Sequence, residues 1–600
     1  MLAHLLPGDK NRSYRDLRHR RGIVASTPLT ARTRTDALAS MSDEHGLDVL
    51  VIGGGVTGAG IALDAASRGL RTGIVEAQDW ASGTSSRSSK LVHGGLRYLE
   101  MLDFSLVHEA LTERDLLLTT VAPHLVHRVP FLYPIRRRVW ERAYIGTGVV
   151  LYDILASLSK RRRALPYHRH VSKTRMLEEF PALREDAAVG AVQYWDAQVD
   201  DARLVFTLVR TAAEHGALAA SRTQVTALLK SAGDVVTGAR VRDLETGATH
   251  DIQARTVINA TGVWTEETEG LSGAEGGLQV LASKGIHLVI PKERIQGTKG
   301  LILHTEKSVL FVIPWPDYWI IGTTDTPYTQ DPRNPVATKV DIDYLLDHVN
   351  AVLDRPLTHE DIAGVYAGLR PLLQPVAKAD GSSTKVSREH TVASPAPGHV
   401  AIAGGKLTTY RVMAKDAVDF ALGAAAATNP SITDRVPLSG ADRLPSIRRT
   451  ARGYARTYGW TKHMVDHLLR RYGSNLTEIV ELVEAQPDLA APLTNAPSYL
   501  RAEIAYAARA EMVLHLEDVL LHRTRLDYEV ADGGVGAIDE ILDLISPILG
   551  WDEQRRARER DAFLARRESE AAAAATSSDA EGSAARGTAG DPSPMVPLDG

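Results

Sequence analysis

Gly53, Gly55 and Gly58 stand in G-x-G-x-x-G spacing, and Glu76 follows 23 residues after the first of them. These residue types at this spacing have a definite chemical use. Gly53 permits a tight turn, Gly55 lets a pyrophosphate approach the backbone, and Gly58 lets a helix pack closely on a strand. The first amides of that helix are unpaired and carry partial positive charge, which suits phosphate. Glu76 is placed to accept the hydrogen bonds of a ribose diol, so an unphosphorylated ribose, as in FAD or NAD, is favoured over NADP. Glycine turns are common; the spacing predicts dinucleotide binding only if strand, helix, second strand and acid accompany it.

They do. Leu47–Ile52 is a short apolar run, too short for a helical face and suited to a buried parallel strand. A helix over about Thr57 to Arg68 follows, with Gly69 at the expected C-cap, and a second strand, Arg71–Val75, ends at Glu76. Further pieces of the same fold lie far along the chain. Thr256–Ala260 is an apolar strand entering Thr261-Gly262, preceded by the small strands Thr237–Arg242 and Ala248–Ala254. His399–Gly405 is a third strand, and Lys406-Leu407-Thr408 opens a helix to about Ala424, again presenting helix N-terminal amides to an anion. An NAD-type Rossmann domain uses one continuous segment. Assembly from residues near 50, 260 and 405 is similar to flavoproteins related to D-amino-acid oxidase and glycine oxidase, which selects FAD.

With a flavin expected, Ala81–Glu100 gains a use. Ser85, Ser86, Ser88, Ser89 and Lys90 form a polar loop whose hydroxyls and amides suit the flavin and its phosphates, and His93-Gly94-Gly95 allows close backbone approach to a flat ring. Four segments, Gly285–Ile290, Leu301–Leu303, Val309–Pro314 and Trp319–Gly322, alternate with turn residues and predict an antiparallel sheet over the flavin. From 440 to 565 the periodicity is helical, as in Met464-Leu468-Leu469 and Ile504-Ala508-Met512. The expected fold is α/β (α+β overall). A FAD-binding and substrate domain spans 46–430, with FAD segments near 46–110, 200–265 and 395–425. An all-helical domain spans 431–565. Disordered ends are expected at 1–45 and 566–600.

Composition narrows the class. Six hundred residues, 44% hydrophobic and 24% charged, suit a soluble chain of two or three domains. The net charge of −5 gives no footprint for nucleic acid. The absence of cysteine excludes disulfides, thiolate metal sites, iron–sulfur clusters and a cysteine-linked flavin, and no metal site is expected. No run of 18 apolar residues marks a membrane span. The Arg-rich residues 1–40 resemble a transit peptide in composition. The plainer reading is a disordered extension or an upstream start, since Met41 directly precedes the first strand.

Eight motifs taken together resemble one family. They are GGGVTGAG (53–60), SSRSSKLVHGGLRYLE (85–100), DDARL (200–204), NATGVW (259–264), KGIHLVIP (284–291), IGTTDTPY (321–328), GLRPL (368–372) and GGKLTTYR (404–411). Over about residues 46–560 the chain is similar to the FAD-dependent, respiratory sn-glycerol-3-phosphate dehydrogenases. The resemblance implies FAD as cofactor and sn-glycerol 3-phosphate as substrate. It implies a substrate pocket lined by Arg97, Tyr98, His287, Arg370, Arg388 and Lys406. A dianionic phosphate beside a secondary alcohol calls for cations and a proton acceptor, and Arg97, Arg370 and Lys406 of that set lie inside the motifs. His287, Arg370 and Lys406 are the catalytic candidates. His287 is the candidate base, with Arg370 or a water as the other choices; His93 is read as a flavin neighbour and Asp325 as structural.

The same resemblance implies a membrane quinone as electron acceptor and a peripheral place on the cytoplasmic face of a bacterial inner membrane. One local feature agrees. Arg136-Arg137-Arg138, Arg142 and Lys160 to Arg163 flank the mostly apolar Ala143–Leu158, which suits either a peripheral anchor on anionic lipid or a core helix with charged ends. Rival readings are an oxidase that reduces O2 to peroxide, an amine or amino-acid oxidase of the same fold, and a silent flavin-binding regulator. The helical domain carries no readable motif; dimerisation and shielding of the site are its open roles, so a homodimer remains an open expectation.

Overall fold

The computed structural model describes residues 28–95, 104–137, 140–157, 164–273, 277–305, 309–374 and 390–587. Two sheets carry the site. The first holds, in spatial order, the strands His390–Ala396, His399–Gly404, Thr249–Asn259, Leu47–Ile52, Thr72–Val75 and Leu218–Ala220. Its centre is parallel, with Val49 opposite Thr72 and Thr256, and Val257 opposite His399. The apolar run at Leu47–Ile52 follows from burial on both faces. Val49 and Val51 enter a core with Ala59 and Ala62 of the helix Val56–Ser67, while Leu47, Leu50 and Ile52 enter another with Val241 and Ile252 of the antiparallel meander. The expected nucleotide-binding fold, built from three separate chain segments, is present.

The second, larger sheet centres on Val280–Pro291, paired antiparallel with Tyr318–Gly322 on one side and Gly364–Leu373 on the other. Strand alternation decides which side chains meet the site. Ile286, Leu288 and Ile290 pack with Ile342 and Leu345 of the helix Lys339–Asn350, so His287 points to the opposite face. Beyond residue 444 come the helices Leu444–Tyr458, Lys462–Tyr472, Leu476–Ala485, Arg501–Ala510 and Ile538–Leu549, with two apolar cores of their own. The expected all-helical domain also contains a short two-stranded ribbon, Pro492–Leu493 with Ala496–Leu500. Ion pairs tie it to the nucleotide domain: Arg523 to Asp79 at 2.6 Å, and Arg203 to Glu511.

Both chain ends correct the expectation of disorder. Residues 28–45 belong to the fold: Ala31–Met41 is a helix with a Thr30–Thr33 capping box. Met41 is fully buried, and Arg34 binds the Ser221 carbonyl at 2.7 Å and the Asp243 carboxylate. At the other end Glu553–Ala574 is a 22-residue helix and Asp579–Gly587 a further one. Phe563, Ala573 and Arg586 are buried there, and Asp579 pairs with Lys284 of the central cap strand. Order at both ends rests on buried arginines and long-range ion pairs, which leave no apolar periodicity. Residues 1–27 and 588–600 lie outside the described residues. Among the described residues, no helix is long and apolar enough to cross a membrane.

Candidate functional site

A cleft of about 720 Å³ opens along the carboxyl ends of the parallel strands, where open α/β sheets take ligands. It is lined by Gly53, Gly55, Glu76, Ser85, Gly262, Gly405, Lys406 and Leu407, with Trp264, which closes the NATGVW motif, and with Gln78 and Thr223, which lie in none of the motifs. Its glycines have geometric causes. Gly53 has φ +109°, and a Cβ there would stand 2.7 Å from the Ala260 carbonyl oxygen. A Cβ on Gly58 would collide with the Gly53 carbonyl, so this glycine serves the close helix–strand packing. A Cβ on Gly55 would meet only the Ser85 hydroxyl, at 3.2 Å, so the backbone here lies open to the cleft. Gly262 and Gly405 adopt φ +63° and +77°.

Glu76 ends its strand as expected. Its carboxylate accepts the Gly54 amide at 2.6 Å and the Gln78 amide at 2.8 Å, and burial pushes its pKa up. The Ser85 hydroxyl accepts the first amide of the glycine-turn helix, Val56 N–H, at 3.0 Å. Lys406, Leu407 and Thr408 enter the helix Tyr410–Leu422 through one 3-10 turn, and Thr408 Oγ1 clips His93 by bonding both its amide and its carbonyl at 3.1 Å. These residues fit a dinucleotide: an acid at the ribose end, open glycine backbone in the middle, and a cation with helix-entry amides at the far side.

Within the serine loop, Ser85 lines the cleft, while Ser86, Ser88 and Lys90 are engaged in packing. Lys90 is fully buried, its ammonium bonded to Asp201 at 2.6 Å and to the Ser86 carbonyl at 3.0 Å, between the rings of Tyr366 and Tyr528. A buried ammonium requires a counter-charge, and Asp201 of the DDARL motif supplies it. Ser88 is held by the same carboxylate at 2.7 Å, and the Ser86 hydroxyl turns back to Gly83. Lys90, Ser86 and Ser88 therefore shape the loop and are not among the cleft-lining residues. Gly94 is also explained by packing: its amide donates to the Tyr152 hydroxyl at 2.9 Å, and a Cβ would meet Leu111 and Tyr152. Gly95 has φ +74°.

Strand pairing brings His287 and Arg370 to one face. Ser283 lies opposite Arg370, Gly285 opposite Gly368 and His287 opposite Tyr366. The His287 ring is 2% exposed and stacks on Tyr366; its Nε2 meets the Ser89 hydroxyl at 2.8 Å, and its Nδ1 has no hydrogen-bond partner among the described residues. Burial, then the charges of Arg370 and Lys90, hold its pKa well below the ordinary histidine value, so the ring is neutral. Arg370 is fixed by Thr323 Oγ1 at 2.9 Å and the Thr324 carbonyl at 3.1 Å, and Gly285 leaves the space its guanidinium occupies. Asp325 takes the structural role expected of it, bonding Ser283 at 2.5 Å and Arg370 at 3.4 Å. Tyr366 and Asp201 were missed by sequence reasoning: Tyr366 meets His287 only through the register of a strand pair, and Asp201 meets Lys90 over 111 positions. Arg97, Tyr98 and Arg388 lie outside the described residues.

Comparison with known proteins agrees with this architecture. The family model "FAD dependent oxidoreductase" matches residues 48–419, and "C-terminal domain of alpha-glycerophosphate oxidase" matches 431–556. The Glycerol-3-phosphate dehydrogenase 2 of Mycobacterium tuberculosis is 52% identical over 524 residues, 87% of this chain and 88% of the relative. The human mitochondrial glycerol-3-phosphate dehydrogenase is 35% identical over 549 residues, 87% of this chain and 73% of that protein. The crystal structure of glycerol-3-phosphate dehydrogenase from Bacillus halodurans complexed with FAD superposes with a TM-score of 0.71 at 29% identity, covering 89% of this chain and 97% of the other. The chain belongs to the FAD-dependent oxidoreductases, within the glycerol-3-phosphate dehydrogenase family.

Proposed function

We propose that this chain oxidises sn-glycerol 3-phosphate to dihydroxyacetone phosphate, with FAD in the glycine-lined cleft and a membrane quinone as the final acceptor. The observation that carries the chemistry is the pairing of a neutral, buried His287 with the fixed cation Arg370 on one strand face. FAD, when bound, supplies the acceptor for the hydride that leaves C2. Arg370 and Lys406 hold the substrate phosphate, joined through the family resemblance by Arg97, Tyr98 and Arg388. Holding the phosphate fixes the C2 alcohol and removes much of the entropic barrier. Ser89 engages Nε2 of His287, which leaves Nδ1 to take the hydroxyl proton. Positive charge at Lys406 and the amides beside it favour the negative charge that accumulates on the cofactor during the reaction.

A peripheral place on anionic membrane is supported by the helix Trp140–Ser157. Trp140, Tyr144 and Ile154 are 71%, 52% and 50% exposed on it, and Arg136 and Arg137 are exposed just before it. Large apolar side chains in water beside cations suit a lipid interface. This favours the anchor over the core-helix reading and fits the cytoplasmic face of the cell membrane. The second acceptor reading, O2, draws on the oxidase name of the C-terminal family model. Turnover with sn-glycerol 3-phosphate in anionic liposomes containing a quinone separates the two. Quinone-dependent rates with little hydrogen peroxide support the proposal; stoichiometric peroxide without quinone overturns the acceptor.

A further inference from the structure

A second cavity, of about 320 Å³, lies at the free edge of the strand Gly364–Leu373. Its roof is the pair of C-terminal helices, Glu553–Ala574 and Asp579–Gly587, almost wholly beyond residue 556, where the family match ends. Four arginines line it: Arg87, Arg566, Arg567 and Arg586.

Their charges are not balanced. Glu570 is shared by Arg566 at 2.8 Å, Arg567 at 3.2 Å and Arg586 at 3.7 Å. Asp527 pairs with Arg567 at 2.9 Å, and the partly exposed Glu517 stands 3.7 Å from Arg566. Four guanidinium groups thus face three carboxylates. Arg87 makes no side-chain hydrogen bond or ion pair among the described residues, although burial and the charges of Arg566 and Arg586 weigh against its charged form and bring its pKa down to about 10. Two more donors, Arg566 Nε and Arg586 Nη2, are buried without a hydrogen-bond acceptor.

Guanidinium donors without an acceptor are costly away from bulk water, and three arginines that keep such donors at one cavity, Arg87, Arg566 and Arg586, suit an anion. Spare donors on three separate arginines match the three terminal oxygens of a phosphate better than the two of a carboxylate. The remaining wall mixes apolar side chains, Val336, Ile342 and Ala571, with polar ones, Asn334, His359 and His522, and the volume suits a metabolite. We propose that this cavity is a second phosphate site, distinct from the flavin cleft, which binds a phosphate monoester of metabolite size. It abuts the site without belonging to it: Arg87 follows Ser85 and Ser86 of the cleft loop, and the wall strand carries Tyr366 and Arg370.

Calorimetric titration of inorganic phosphate into the FAD-loaded full-length protein tests this, in an Arg370→Ala background that disables the phosphate grip of the cleft. The readout needs no turnover, so it is independent of the substrate proposed above. One phosphate should bind to Arg370→Ala, and adding Arg586→Ala should weaken it at least tenfold. A chain ending at Ser578, which lacks the helix bearing Arg586, should show the same loss with its flavin spectrum intact. Arg586→Ala alone should leave the KM for sn-glycerol 3-phosphate within twofold of wild type. Phosphate binding that is absent in Arg370→Ala, or that survives both Arg586→Ala and the truncation, overturns the site.

Discussion

The imidazole of His287 lies nearly flat on the ring of Tyr366, centroids 4.8 Å apart and planes 17° from parallel, across two antiparallel strands. Tyr366 in turn donates its hydroxyl proton to the Ser88 carbonyl at 3.0 Å, so the loop anchored by Asp201 also fixes the ring on which the histidine rests. Stacking on Tyr366 and the Ser89 contact at Nε2 together orient the ring of the proposed base.

Replacing His287 with Asn should lower kcat by ~10²-fold or more while FAD content stays at the wild-type level. The pH dependence should show the same group. A base acts when unprotonated, and the pKa of His287 lies well below its ordinary value. The wild-type kcat/KM should therefore stay flat as pH falls from 9 to about 6.5, with a decline only nearer the second pKa of the substrate phosphate, about 6. An acid limb at or above pH 6.5 that disappears in the variant would show that His287 titrates normally.

Two cleft glycines should respond differently to one methyl group. Gly58→Ala drives a Cβ into the Gly53 carbonyl and should yield little folded flavoprotein. Gly55→Ala meets only a serine hydroxyl and should fold, but bind FAD on the order of tenfold more weakly, about 1.4 kcal/mol. Equal expression and equal FAD affinity for both would contradict the packing and phosphate roles assigned to them.

The Lys90–Asp201 pair separates a structural cation from a ligand. Asp201→Asn leaves a buried ammonium without its counter-charge and should cost about 3–5 kcal/mol of stability. The double variant Lys90→Met, Asp201→Leu should recover most of that loss in thermal denaturation. If Lys90 held the flavin directly, Lys90→Met would instead weaken FAD binding without shifting the melting transition.

These residues also show where a sequence is readable. The glycine turn, its strands and Glu76 are local patterns with fixed spacing, and all stand where spacing placed them. The pairing of Lys90 with Asp201 was not legible because its partner lies 111 positions away, and nothing local says which cation is already neutralised. The ordered ends escaped for the same reason: Arg34 meets Asp243 over 209 positions and Asp579 meets Lys284 over 295. His287 was legible as a candidate, but its ring partner depends on strand register, which one strand alone does not contain.

Membrane attachment through the exposed aromatic helix is tested by sedimentation with anionic liposomes at low salt. The double variant Trp140→Glu, Tyr144→Glu should lose most binding, and added salt should weaken the wild type. Unchanged sedimentation of the variant would place the membrane contact elsewhere.

The most direct measurement is an anaerobic absorbance spectrum of the FAD-loaded protein before and after sn-glycerol 3-phosphate. The account predicts loss of the oxidised-flavin band near ~450 nm within the mixing time and its return on adding a quinone analogue. A flavin band that ignores sn-glycerol 3-phosphate, yet bleaches with an amine or another hydroxy acid, would keep the fold and contradict the proposed reaction.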